Sequence, residues 1–131
     1  MSITSNEVLL SAKNCYSHGC EADFRNAVSR AYYAMYHEAR DSLTCRPNYA
    51  GSQHSNLIGY LKNKSENKLE PHDTFKMKLL GYQLDQQRRA RTDADYELES
   101  LDITEAIANV AIKTAEEFFD EWLVLKTLKA V

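Results

Sequence analysis

The chain has 131 residues, long enough to bury one core without metal or disulfide staples, and a single domain over 1–131 is expected. At 44% hydrophobic and 27% charged, with a net charge of −3, it reads as globular and not as a protein that coats nucleic acid by bulk positive charge. No apolar run reaches the roughly 20 residues of a membrane span. The start, Met1 to Glu7, lacks the basic and long apolar regions of a signal peptide, so a cytoplasmic protein without a membrane partner is expected.

Four glycines, two prolines and almost no period-two β-branched run predict a chain that is nearly all helix. The first helix opens on a capping box, Thr4 with Glu7. It carries Val8, Ala12, Cys15 and Tyr16 and stops near Gly19. The second is expected from about Glu21 to Thr44. Its apolar stripe is Phe24, Val28, Ala31, Tyr32, Met35, Ala39 and Leu43, at helical spacing. At about 100° per residue, Asn26, Arg30, Tyr33 and His37 share the other side. Arg46 to Gly51 reads as a loop. A third helix starts near Ser52 or Gln53, carries Leu57, Ile58 and Leu61, and decays into the polar stretch Asn63 to Lys68.

Asp73 is a natural N-cap for the fourth helix, which carries Phe75, Leu79, Leu80, Tyr82 and Leu84 and is expected to end between Arg89 and Thr92. Asp93 to Ser100 then forms a polar connection. Asp102 with Glu105 resembles another capping box. The last helix carries Ile107, Val110, Ala111, Thr114, Ala115, Phe118, Trp122 and Leu125. Long amphipathic helices on short loops predict an all-α, up-and-down antiparallel bundle of four to five helices. The first, second, fourth and fifth should form its body.

Cys15, Cys20 and Cys45 are an odd set without a secretory context, so reduced thiols are expected in place of disulfides. Cys15 and Cys20 lack a second Cys/His pair, and no metal site is expected. No Gly-rich phosphate loop, paired catalytic carboxylates or Ser-His-Asp order is visible, and no cofactor is expected. Arg88, Arg89 and Arg91 form one local basic cluster, while Glu116, Glu117, Asp120 and Glu121 gather the acid.

Three blocks then stand in order: Ser29-Arg30-Ala31-Tyr32-Tyr33-Ala34-Met35-Tyr36-His37, Gln53-His54-Ser55-Asn56-Leu57-Ile58, and Arg91-Thr92-Asp93-Ala94-Asp95-Tyr96. In order and rough spacing they resemble the small stand-alone bacterial and archaeal HEPN-domain proteins, from about Phe24 to Phe119. That resemblance implies a helical bundle that pairs as a homodimer. It also implies a role with RNA, either as a metal-independent endoribonuclease, toxin or phage-defence component, or as a non-catalytic binding subunit. Its ribonuclease members carry an Arg and, four to six residues on, a His near the start of a late helix. This chain departs there: five residues after Arg91 stands Tyr96, and no histidine follows His72.

Metal-free RNA cleavage needs a group to take the 2′-hydroxyl proton, an acid for the leaving oxygen and a cation on the phosphate. Histidine and arginine suit those tasks. Arg30 and His37 lie two helical turns apart, about 10.5 Å along the axis, and could bracket a phosphate with a second subunit. Arg30, His37, Arg91 and Tyr96 are therefore the candidate catalytic residues. Asn26, Tyr33, Arg88, Arg89 and Asp95 are the candidate substrate contacts. The plainer alternative has Arg30 pairing with Asp93 or Asp95 across the bundle, the tyrosines packing, and His54 serving as a cap or loop contact. Two functions follow: an RNA-directed HEPN dimer, or a non-catalytic subunit that binds a neighbouring nucleotidyltransferase, antitoxin or other defence protein.

Overall fold

The computed structural model describes residues 3–44, 51–63 and 70–129. Among them are five helices and no strand: α1 (Ser5–His18), α2 (Glu21–Ser42), α3 (Gln53–Lys62), α4 (Thr74–Tyr96) and α5 (Glu105–Lys129). The all-α bundle is as the patterning required. The expected loop at 46–51 and polar stretch at 63–68 lie almost wholly outside the described residues.

The helix ends follow local chemistry. Thr4 and Glu7 close the capping box on α1, and Gly19 ends it with φ 87°, a left-handed conformation that glycine adopts without a Cβ clash. Ser52 caps α3 by accepting from Ser55 N–H, and Asp73 caps α4 by accepting from Phe75 and Lys76 N–H.

Two boundaries differ from expectation. α4 does not stop at Arg89–Thr92 but runs to Tyr96, because no glycine or proline interrupts it, Ala94 is buried, and Arg91 pairs with Asp95 one turn on. α5 is capped by Thr104 and not Asp102: Thr104 accepts from Ile107 N–H through its hydroxyl and from Ala108 N–H through its carbonyl.

α2 is the axial helix, packed against α1, α4 and α5, while α3 lies on α4. Of the α2 stripe, Val28, Ala31, Tyr32, Met35, Ala39 and Leu43 are buried and Phe24 is partly so. They meet Trp122 and Phe118 of α5, Met77 and Leu84 of α4 and Leu61 of α3, all fully buried. Each such side chain contributes roughly 1.5–3 kcal/mol by leaving water.

Two buried charges fasten the ends of α2. Near its start, Arg25 donates to the carbonyls of Ala94 (2.9 Å), Glu97 (3.3 Å) and Leu101, and pairs with Glu21. Glu21 in turn accepts from Ile103 N–H, and that bond, with the Arg25 contact, holds its carboxyl below the usual range. Toward the other end, Glu38 accepts from Ser5 and Lys126, each at 3.0 Å, joining α1, α2 and α5. The plainer alternative for Arg30, a pairing with Asp93 or Asp95 across the bundle, does not appear among the described contacts: Arg30 is exposed, and the arginine that ties α2 to the end of α4 is Arg25.

Candidate nucleic-acid interface

One face collects chemistry from three helices. Tyr32 and Tyr36 lie one turn apart on α2, with Tyr33 beside them. The Ser52 cap starts α3 so that His54 enters this group. The His54 ring stands 4.3 Å from that of Tyr36 and 5.5 Å from that of Tyr32, and is edge-on to Tyr33 at 5.9 Å. Nδ1 of His54 is hydrogen-bonded to the Tyr32 hydroxyl at 2.6 Å.

Arg88 and Arg91, three apart on α4, bring two cations to the same place. Arg88 donates to Ser55 Oγ at 2.9 Å, beside His54. The Arg91 guanidinium lies over Tyr32 and Tyr33, 5.7 and 5.6 Å from the ring centres, within cation–π range. It also pairs with Asp95 at 3.4 Å, and Asp95 accepts from Ser29 at 3.3 Å. Its Nε is buried with no hydrogen-bond partner among the described residues.

The electrostatics follow from this crowding. Burial first, then the charges of Arg88, Arg91 and His37, push the His54 imidazole below its ordinary value of 6.5, so it is neutral near pH 7. Burial raises the Tyr32 phenol, an effect the two arginines only partly offset, so it stays protonated. Asp95 is the carboxylate paired with Arg91 here, and the Arg88 guanidinium, donating to Ser55 Oγ, adds a second positive charge, which favours an anion.

Of the sequence candidates, Tyr33, Arg88, Arg91 and Asp95 come together. His37 stands at the rim, its ring edge-on to Tyr36 at 5.2 Å, and lines a pocket of about 100 Å³ with Ile3, Thr4, Ser5, Val8 and Asp41. Asn26 and Arg30 are exposed and outside these contacts. Arg89 is exposed and paired with Asp85 at 3.2 Å. Tyr96 is 71% exposed and sits on the shallow surface of Glu97, Leu98, Glu99 and Ser100.

Sequence reasoning missed His54. Its block was visible, but no periodicity aims a residue of the first turn of α3 at the tyrosines of α2. Cys15 and Cys20 are free thiols, and Cys45 lies outside the described residues. Among the described residues no group of three or more His, Cys, Asp or Glu side chains is arranged to hold a metal. No helix there is long and apolar enough to cross a membrane.

Fold and site define an all-α bundle with a basic, tyrosine-lined cluster where its second, third and fourth helices meet. The model of the HEPN domain matches residues 4–126, nearly the whole chain, and the protein belongs to the HEPN domain family. No curated protein and no solved structure matches it.

Proposed function

We propose that this HEPN protein binds RNA through the face where α2, α3 and α4 meet, as a cytoplasmic homodimer in a toxin–antitoxin or phage-defence setting. One observation carries the reading: Arg88 and Arg91 converge beside the His54 imidazole and the partly buried Tyr33 on a protein whose net charge is −3. Guanidinium forks match phosphate oxygens, and an aromatic ring offers a base a surface to stack on. The positive field is local, so contact with nucleic acid is confined to this face. Asn26, Arg30, Arg89 and Tyr96 stand outside the cluster; in a dimer they would serve by lining the neighbouring protomer's groove.

The test is binding of labelled single-stranded RNA in EDTA, across a range of salt. Arg88→Ala and Arg91→Ala should each weaken binding and lower the salt slope by about one. Binding unchanged in the double variant would refute the assignment.

A second reading is a non-catalytic subunit that docks a partner such as a nucleotidyltransferase or antitoxin. It is favoured by an apolar groove of about 290 Å³ lined by Val28, Ala90, Ala106, Ile107, Val110 and Ala111. Val110 is 63% exposed there. A stable complex with the product of a neighbouring gene, lost in Val110→Glu, would support that reading over the first.

A further inference from the structure

We infer that the seam between α4 and α5 binds a small cationic amphiphile, an acyl chain joined through an amide to an amine. This is separate from the RNA-binding face, and it gives the groove of the second reading a small-molecule occupant in place of a protein. α4 and α5 both pack on α2 but barely touch each other. Two cavities open along the gap. One, of about 290 Å³, lies between the late part of α4 and the early part of α5. The other, of about 310 Å³, lies between the early part of α4 and the later part of α5. Pockets that enclose small ligands run from roughly 300 to 1,000 Å³.

The seam changes chemistry along its length. Its first stretch is walled by Val28, Ala90, Ile107 and Val110, and Gln87 is the one polar side chain on that wall among the described residues. Gln87 is 7% exposed, and its Nε2 is buried with no hydrogen-bond partner among the described residues. One turn earlier on α4, Gln83 borders the second cavity, and its Oε1 is likewise buried and unpartnered. An amide donor or acceptor left unpaired against apolar walls is costly, and a ligand that pairs it removes that penalty. The second cavity is also lined by Glu117 and Glu121, exposed carboxylates that form no ion pair among the described residues, with Lys76 contributed by α4. Two carboxylates against one ammonium leave an excess of negative charge at this end.

Along the seam the order is therefore apolar wall, donor, acceptor, negative charge. The complementary molecule presents an alkyl chain, a carbonyl, an N–H and a cation in the same order, which is an N-acylated amine. Its carbonyl accepts from Gln87 Nε2, its amide N–H donates to Gln83 Oε1, and its ammonium meets Glu117 and Glu121. A free fatty acid does not fit, because it lacks the N–H and brings a carboxylate to the acidic end. A phosphate is disfavoured for the same reason, which sets this seam apart from the basic cluster of α2, α3 and α4.

The experiment titrates the full chain with N-octanoylputrescine and follows the side-chain amide signals of Gln83 and Gln87 by NMR. Both should shift and saturate together with the Val110 methyls, while the His54 ring signals stay in place. Gln87→Leu should weaken binding about tenfold. It should also melt at or above the wild-type temperature, since no hydrogen bond within the protein is lost, so the weaker binding reports a lost ligand contact and not a damaged bundle. Glu117→Gln combined with Glu121→Gln should weaken binding severalfold and flatten its salt dependence. Octanoate should bind at least about tenfold more weakly than the amide. No saturable shift, equal affinity for octanoate, or unchanged affinity in Gln87→Leu overturns the inference. A leucine–lysine peptide that shifts these signals when the acyl amine does not also overturns it, and returns the seam to the protein-partner reading. None of these outcomes bears on RNA binding.

Discussion

Arg25 shows how one residue sets the geometry of a distant connection. Its guanidinium occupies carbonyls at the end of α4 and in the segment leading to α5, and it is 8% exposed. Removing it leaves buried oxygens without a donor. Arg25→Ala should cost roughly 2–4 kcal/mol in urea unfolding. Arg25→Lys should recover only part of that, because a single ammonium cannot reproduce the fork. His54 carries a second residue-scale prediction. Its folded value is depressed, so the unfolded chain binds more protons between the folded value and 6.5. The stability it contributes is present above 6.5 and is lost as pH falls through that window. An NMR titration should find the His54 midpoint below 6.5, and Arg88→Ala should move it upward.

At the scale of elements, the seating of α3 on α4 determines whether His54 meets the arginines. Leu57, Ile58 and Leu61 bury the inner side of α3, and Gly81 of α4 lets the two helices approach. A Cβ at Gly81 would stand 2.9 Å from Leu61 Cβ and 3.2 Å from the backbone nitrogen of Lys62. Neither atom is the end of a flexible chain, so α3 must shift. Gly81→Ala gains about 1 kcal/mol of helix propensity, yet should lower stability by a net 1–2 kcal/mol or so because the clash outweighs it. Thermal melting checks the sign. The Asp73 cap is a plainer case. Asp73→Ala removes the acceptor for Phe75 and Lys76 N–H and should cost about 1 kcal/mol at the start of α4.

Over the whole molecule, α2 collects three helices on one axis, and the basic cluster lies where α3, seated on α4, brings His54 to the tyrosines of α2. An acidic chain with one basic face should bind RNA with steep salt dependence and show little affinity once that face is neutralised. The proposed homodimer predicts a particle of twice 15.0 kDa in the ultracentrifuge at micromolar concentration. A solitary chain under those conditions would remove the role given to Arg30 and Tyr96, which depends on a second protomer.

The amino-acid pattern alone determined the helices, most of their caps, the bundle and the family, because periodicity and capping are local and repeat along the chain. It also placed Arg88, Arg91, Tyr33 and Asp95 among the candidates. The tertiary structure decided which of these meet, brought in His54, and made Arg25 the cross-bundle tie, a part offered for Arg30 only as an alternative. Those choices depend on the rotation and seating of one helix against another. A single residue of helical rotation turns a side chain by about 100°, and no short window of sequence encodes that angle.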